Sequence, residues 1–294
     1  MRTFRQSLQG AAFTLSAELL LRRQTTVEEA LSHARILADS VDGIQIAENP
    51  FDWVQISPVA MAGLLIRNGI DAVPRLSCRD RNRIALHSEL LGLRASGVTS
   101  VMLTGGSAIL QGHETRAKPV FDANCRELLA MAHSLNEEDS SSVQDELLPG
   151  TDATVFLPPP GWSAEELLGR ASAGARFLQT QICFDTDMLR RYMQRMVETK
   201  MTWNCSVIVT LAPLPNADTA VWLSENIRNS RIPAGLIKRL KSADQPEKEG
   251  IDICAGLMRE IAGIPGVSGI NLLSPGSPEA VVAAIESSGL QAAP

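Results

Sequence analysis

Eight short β-rich runs alternate along the chain with eight longer segments of helical periodicity, and that alternation leaves few folds open. The runs are Phe13–Leu19, Gly43–Ala47, Asp71–Leu76, Ser100–Leu103, Ala153–Leu157, Phe177–Phe184, Cys205–Leu211 and Val267–Leu272. The helical stretches are Val27–Asp39, Pro58–Arg67, Asn82–Ser96, Asp122–Leu135, Ala164–Ala173, Thr186–Thr199, Pro246–Ile261 and Pro278–Glu286. Strands that alternate with helices pair in parallel through right-handed crossovers. Eight such units in 294 residues predict a closed (β/α)8 TIM barrel. Helix starts agree: Thr26, Ser57-Pro58 and Ser277-Pro278 read as caps, and Ser163 followed by Ala-Glu-Glu resembles a capping box. Asn68-Gly69, Ser96-Gly97, Ala173-Gly174 and Pro265-Gly266 each stop a helix just before the next strand. A doubly wound open sheet would need a glycine-rich phosphate fingerprint after an early strand, and none is present.

Two stretches interrupt the pattern. Residues 136–150 are polar and acidic and read as a surface loop; residues 212–245 carry Trp222 and read as an extra helical segment over the barrel mouth. Neither has the composition of a linker, so residues 1–294 read as a single domain.

Charge and cysteine usage narrow the function. With 27 Lys+Arg against 33 Asp+Glu, a net charge of −6 and 4% aromatic residues, the chain lacks the basic surface and stacking platforms of nucleic-acid binding. Its five cysteines form no CxxC pair, which fits a reducing cytoplasm. The first residues make no convincing signal peptide, and no run is long and apolar enough to suggest a membrane span. His33, His87, His113 and His133 have no metal-ligand spacing, so no metal site is expected.

In a TIM barrel the chemistry gathers at the carboxyl ends of the strands. The polar residues there are Glu18; Glu48 with Asn49; Arg75 with Ser77 and Cys78; Thr104; Gln179 with Gln181 and Asp185; and Ser274. Glu18 ends an otherwise apolar run. It reads either as a general acid raised by desolvation, or as a surface carboxylate or one paired with an arginine. The run from Arg75 through Arg79, Asp80 and Arg81 either clamps an anion or opens a solvated helix. Thr104-Gly105-Gly106-Ser107 is a ligand approach or a plain turn, and Ser274 with the following Pro-Gly-Ser is a phosphate site or a helix cap.

Taken in order, these runs resemble the methylenetetrahydrofolate reductase family. The resemblance rests on Ser16-Ala-Glu18, Ile46-Ala-Glu-Asn-Pro50, Pro74-Arg-Leu-Ser-Cys-Arg-Asp-Arg-Asn82, Leu103-Thr-Gly-Gly106, Thr180-Gln-Ile-Cys-Phe-Asp185 and Arg231-Ile-Pro-Ala234. It implies an oxidoreductase of one-carbon metabolism and methionine biosynthesis, a flavoprotein in which NADH or NADPH reduces FAD and the flavin reduces methylenetetrahydrofolate. It assigns Glu18 as the acid that opens the folate's imidazolidine ring, Gln181, Asn49 and Phe184 to the folate, and Arg75, Ser77, Arg79, Asp80, Thr104, Gly105, Gly106 and Trp162 to the cofactor. It also implies a homo-oligomer or a partner subunit. The departures fall on the flavin side. Gly106 stands where the family has an aspartate, and Arg75 where it commonly has a histidine. Leu157-Pro-Pro-Pro-Gly-Trp162-Ser163 replaces a tyrosine-led run that precedes a lysine. A flavin-independent reductase, and a non-redox, methyltransferase-like or partner-dependent folate binder, are the alternatives.

Overall fold

The computed structural model describes residues 2–10, 12–50, 54–108, 116–139 and 146–292. Among these residues eight strands, β1 (Thr14–Glu18), β2 (Gly43–Ile46), β3 (Ala72–Ser77), β4 (Ser100–Thr104), β5 (Leu148–Ala153), β6 (Phe177–Ile182), β7 (Ser206–Leu211) and β8 (Val267–Leu272), close in chain order into one parallel barrel. Ser16 of β1 stands opposite Gly43 on one side and Asn271 on the other, which seals the ring. The helices are α1 (Phe4–Gln9), α2 (Val27–Ala38), α3 (Pro58–Arg67), α4 (Arg83–Ala95), α5 (Cys125–Asp139), α6 (Glu165–Ser172), α7 (Thr186–Glu198), α8 (Ala217–Asn226), α9 (Ala234–Lys241), α10 (Pro246–Ala262) and α11 (Pro278–Ser288).

The predicted (β/α)8 barrel is the fold, and local chemistry explains why. In α4, Leu86, Leu90 and Leu93 recur at helical spacing and are buried against the sheet, while Ile84 on another face is exposed. Thr26, Asn82, Asp185 and Ser277 each accept a backbone N–H in the first turn of the helix they precede. Gly69, Gly97, Gly174 and Gly266 all have positive φ and turn the chain into the next strand. The expected cap at Ser163 is not formed. Helix α6 begins at Glu165, so Ala164 takes the cap position in a left-handed conformation and Ser163 stands one residue too early.

Three further expectations need correction. Helix α1, not predicted, plugs the amino-terminal end of the barrel. Thr3 and Gln6 form a reciprocal capping box, and the Phe4 N–H donates to Asp71 Oδ2 at 2.9 Å. Phe4 packs with Val73, Met102, Leu148, Phe177 and Ile208 in a cluster inside the barrel, its ring edge-on to Phe177 at 5.2 Å. Second, the fifth strand is Leu148–Ala153, not Ala153–Leu157. Pro149, Gly150 and Asp152 hide it from a propensity reading, yet Gly150 is required. A Cβ there would lie 2.2 Å from the Phe177 ring. Third, residues 136–150 are not one loop: 136–139 finish α5, 148–150 belong to β5, and 140–145 lie outside the described residues. Asn136 ties the two elements by donating to Leu147 O and accepting from Leu147 N–H. The expected extra segment at 212–245 contains α8 and α9.

Above the apolar floor the barrel interior turns polar. Gln45 Nε2 donates to Gln179 Oε1 at 2.7 Å across the barrel and to Ser16 Oγ at 3.1 Å, and Ser16 donates to Asn271 Oδ1 at 2.9 Å. All four side chains are buried and linked by these bonds, although the Asn271 Nδ2 has no hydrogen-bond partner among the described residues.

Candidate active site

The strands end in a cavity of about 1360 Å³, larger than the roughly 300–1,000 Å³ of a site for one drug-sized ligand. Glu18 closes β1 within it, alternation along the strand having turned Thr14, Ser16 and Glu18 toward the barrel interior. The carboxyl touches the cavity but sits deep. Burial pushes its pKa above the ordinary carboxylate range, and the positive charge of Arg75 only partly opposes that. Arg75 reaches from β3 to β5, where its Nη1 lies 2.8 Å from Asp152 Oδ1. Burial works against the Arg75 charge, and Asp152, Glu18 and Glu48 together outweigh it, so the guanidinium stays protonated. A carboxyl whose pKa is raised by burial and a held cation thus share the floor of the mouth.

The β2 and β3 ends form a second charged group. Glu48 is buried, accepts from the Ser77 N–H at 2.6 Å and pairs with Arg81, which also reaches Glu89 at 3.4 Å. Burial raises the Glu48 pKa despite these partners. Arg79 donates twice to Asp80, at 2.7 and 3.0 Å, and Asn49 donates to the same carboxylate at 3.2 Å. Asn49 adopts the left-handed conformation, φ 39°, to do so. Opposite, Phe156, Trp162 and Tyr192 make an aromatic wall with ring centroids 5.5–5.8 Å apart. Helix α8 brings Trp222 to the rim.

Of the residues singled out from sequence, Glu18, Asn49, Arg75, Ser77, Arg79, Thr104, Gly105, Gly106 and Trp162 line this one cavity. Asp80 does not line it and serves Arg79 and Asn49 instead. Gln181 is held by main chain: it accepts from Val155 N–H and donates to Val155 O and Asn229 O. Phe184 is buried beside a separate hollow between α9 and α10. Ser274 lines the mouth, and His113 lies outside the described residues. The sequence reading passed over Asp152, because it placed the fifth strand too late. A register that aligned Gly150 with the bulk of Phe177 would have put Asp152 at a strand end.

The flavin implied by the resemblance can be tested against these groups. Gly106 has φ +80°, and a Cβ on it would lie 2.7 Å from the Arg79 Cβ, so the position that carries the family's aspartate has no room for a side chain. The arginines lining the β3–β5 side are each committed to a carboxylate: Arg75 to Asp152, Arg79 to Asp80, Arg170 to Glu166. On that side, among the described residues, a dinucleotide's phosphates would share each cation with a carboxylate, and Gly106 gives no counterpart of the family's aspartate; Arg22 and Arg228 line the cavity elsewhere.

Fold and site together define a TIM barrel with a carboxyl raised by burial at the carboxyl end of its strands, an arrangement suited to proton transfer. Residues 3–288 match the methylenetetrahydrofolate reductase family, and the chain belongs to it. No curated protein matches the sequence. Among solved structures, an uncharacterized protein from Clostridium thermocellum that binds two copies of 5-methyl-5,6,7,8-tetrahydrofolic acid superposes with a TM-score of 0.68 at 13% identity, covering 97% of this chain and 96% of that one. DmoA from Hyphomicrobium sulfonivorans gives a TM-score of 0.58 at 10% identity, covering 94% and 86%. At such identities the likeness is one of fold. Among the described residues no helix is long and apolar enough to cross a membrane.

Proposed function

We propose that the chain reduces 5,10-methylenetetrahydrofolate to 5-methyltetrahydrofolate, with the hydride passing directly from NADH or NADPH bound in the same cavity. The observation that carries this reading is Glu18, a carboxyl that lines the cavity at the mouth of a barrel of this family and whose pKa burial pushes up. Glu18 gives its proton to N10 of the folate as the N10–methylene bond breaks, which leaves an iminium between N5 and the methylene carbon. Hydride from nicotinamide C4 closes that iminium to the methyl group, and the nicotinamide leaves oxidised. Solvent returns a proton to Glu18. Such a positioned acid contributes about 100- to 10,000-fold. The cavity volume supports two ligands side by side, and the aromatic wall and Trp222 offer faces for their rings. Ser77 also lines the cavity, its hydroxyl buried and without a hydrogen-bond partner among the described residues. Asn49 and Thr104 border the same space, whereas Gln181 serves the folate by holding the loop after β5, and Phe184 supports the β6 end from outside the cavity.

The test is anaerobic oxidation of NADH or NADPH by the purified protein with methylenetetrahydrofolate, with and without prior incubation in FAD and desalting. Turnover without retained flavin, lost in Glu18→Gln, is the expected result. A retained flavin band that bleaches on nicotinamide addition would overturn direct transfer and restore a flavin route. Folate binding with no nicotinamide oxidation in either preparation would overturn the reductase reading in favour of a non-redox folate protein.

A further inference from the structure

We infer that Asp152 is a positioning residue for Glu18: by pairing with Arg75 from across the barrel mouth, it keeps that guanidinium from closing on the Glu18 carboxylate. This rests on the reading of Glu18 as the acid. Arg75 and Asp152 sit on β3 and β5, so their 2.8 Å contact bridges over β4. Asp152 is itself anchored, because Arg170 donates to its main-chain carbonyl at 2.7 Å while paired with Glu166 at 2.6 Å.

Arg75 feels three carboxylates, those of Asp152, Glu18 and Glu48. Glu48 is already taken by Arg81 and the Ser77 N–H, which leaves Glu18 as the alternative if Asp152 is lost. Among the described residues Arg75 makes no hydrogen bond or ion pair with Glu18 itself. Arg75 from β3 is the charged group whose field reaches Glu18; Glu48, Asp152 and Arg22 line the same cavity, and the interior layer is neutral, with Ser16, Gln45, Gln179 and Asn271 hydrogen-bonded to one another. A guanidinium in direct contact would favour the ionised carboxylate, which has no proton to give. Burial alone therefore does not keep the acid loaded; the cation must also be held to one side.

The experiment is an infrared titration of the intact protein, in which Glu18→Gln identifies the Glu18 carboxyl band. Asp152→Asn should lower its midpoint by about one pH unit, a tenfold change in protonation, and move the alkaline fall of kcat down in parallel. Asp152→Glu should restore both. In Arg75→Gln the midpoint should rise, and adding Asp152→Asn to it should produce no further shift. An unchanged midpoint in Asp152→Asn, or a shift that persists without Arg75, overturns the proposal. The titration reads Glu18 whether or not folate is reduced, so the two readings fail separately. A shifted midpoint with a fully active Glu18→Gln sinks the acid and keeps the positioning, and an inactive Glu18→Gln with no shift does the reverse.

Discussion

The two ends of this barrel are built on opposite principles. At the amino-terminal end, Phe4 and Phe177 fill the space inside the strands, with Gly150 and Gly269 giving up their side chains so that the filling fits. At the carboxyl end the same strands finish in Glu18, Arg75, Ser77, Thr104 and Asp152 around a large cavity. The Gln45–Gln179 bridge marks the change of layer. The contrast teaches that a floor filled with side chains can be tight, whereas the mouth keeps the Glu18 carboxyl buried beside open space, a cost that the floor and outer core must offset.

Substitutions should separate the two ends. Glu18→Gln is expected to lower folate reduction about 100- to 10,000-fold, with a denaturation midpoint no lower than that of the parent, since the amide removes a buried ionisable group. A matched loss of stability would mean that Glu18 is structural. Phe177→Ala should do the opposite, costing about 3–5 kcal/mol in chemical denaturation while KM in the folded fraction stays near normal. Gly150→Ala adds a methyl against that ring and should cost about 1–3 kcal/mol; a neutral result would show the floor to be looser than its contacts indicate.

The next effect is one of pH. Asp71, which accepts the Phe4 N–H, is raised by burial to about 6 from an ordinary 3.8. The folded chain therefore holds this proton more tightly than the unfolded chain does. The resulting stability is fully present below about pH 4 and is lost as pH rises through 6. Asp71→Asn, whose amide oxygen can still accept from Phe4, should flatten the fall in denaturation midpoint between those values. The smallest effect is expected from Thr3→Ala, which removes the α1 cap and should cost about 1 kcal/mol, with α1 amides exchanging faster and turnover unchanged.

Much of this molecule was legible in order along the chain. Helix α3 was read at Pro58–Arg67 and found there, because proline at its start, apolar periodicity and Asn68-Gly69 at its end all act within a few residues. Strand β5 failed the same reading, because Pro149 and Gly150 look like breakers unless Phe177, a neighbour only in space, is known to fill the gap. The mouth divides likewise. Glu18 could be named because an acid ending an apolar strand is a local anomaly, but Asp152 could not, and neither could the commitment of Gln181 to Val155 and Asn229.

By itself, then, the sequence determined the eightfold alternation, most helix boundaries and the family, since each rests on periodicity and short motifs. Only the tertiary structure decided that α1 closes the floor, that Gly106 has no room for a carboxylate and that Asp152 holds Arg75 beside Glu18. Those are contacts between residues far apart in the chain, and barrel closure and register alone bring them within reach.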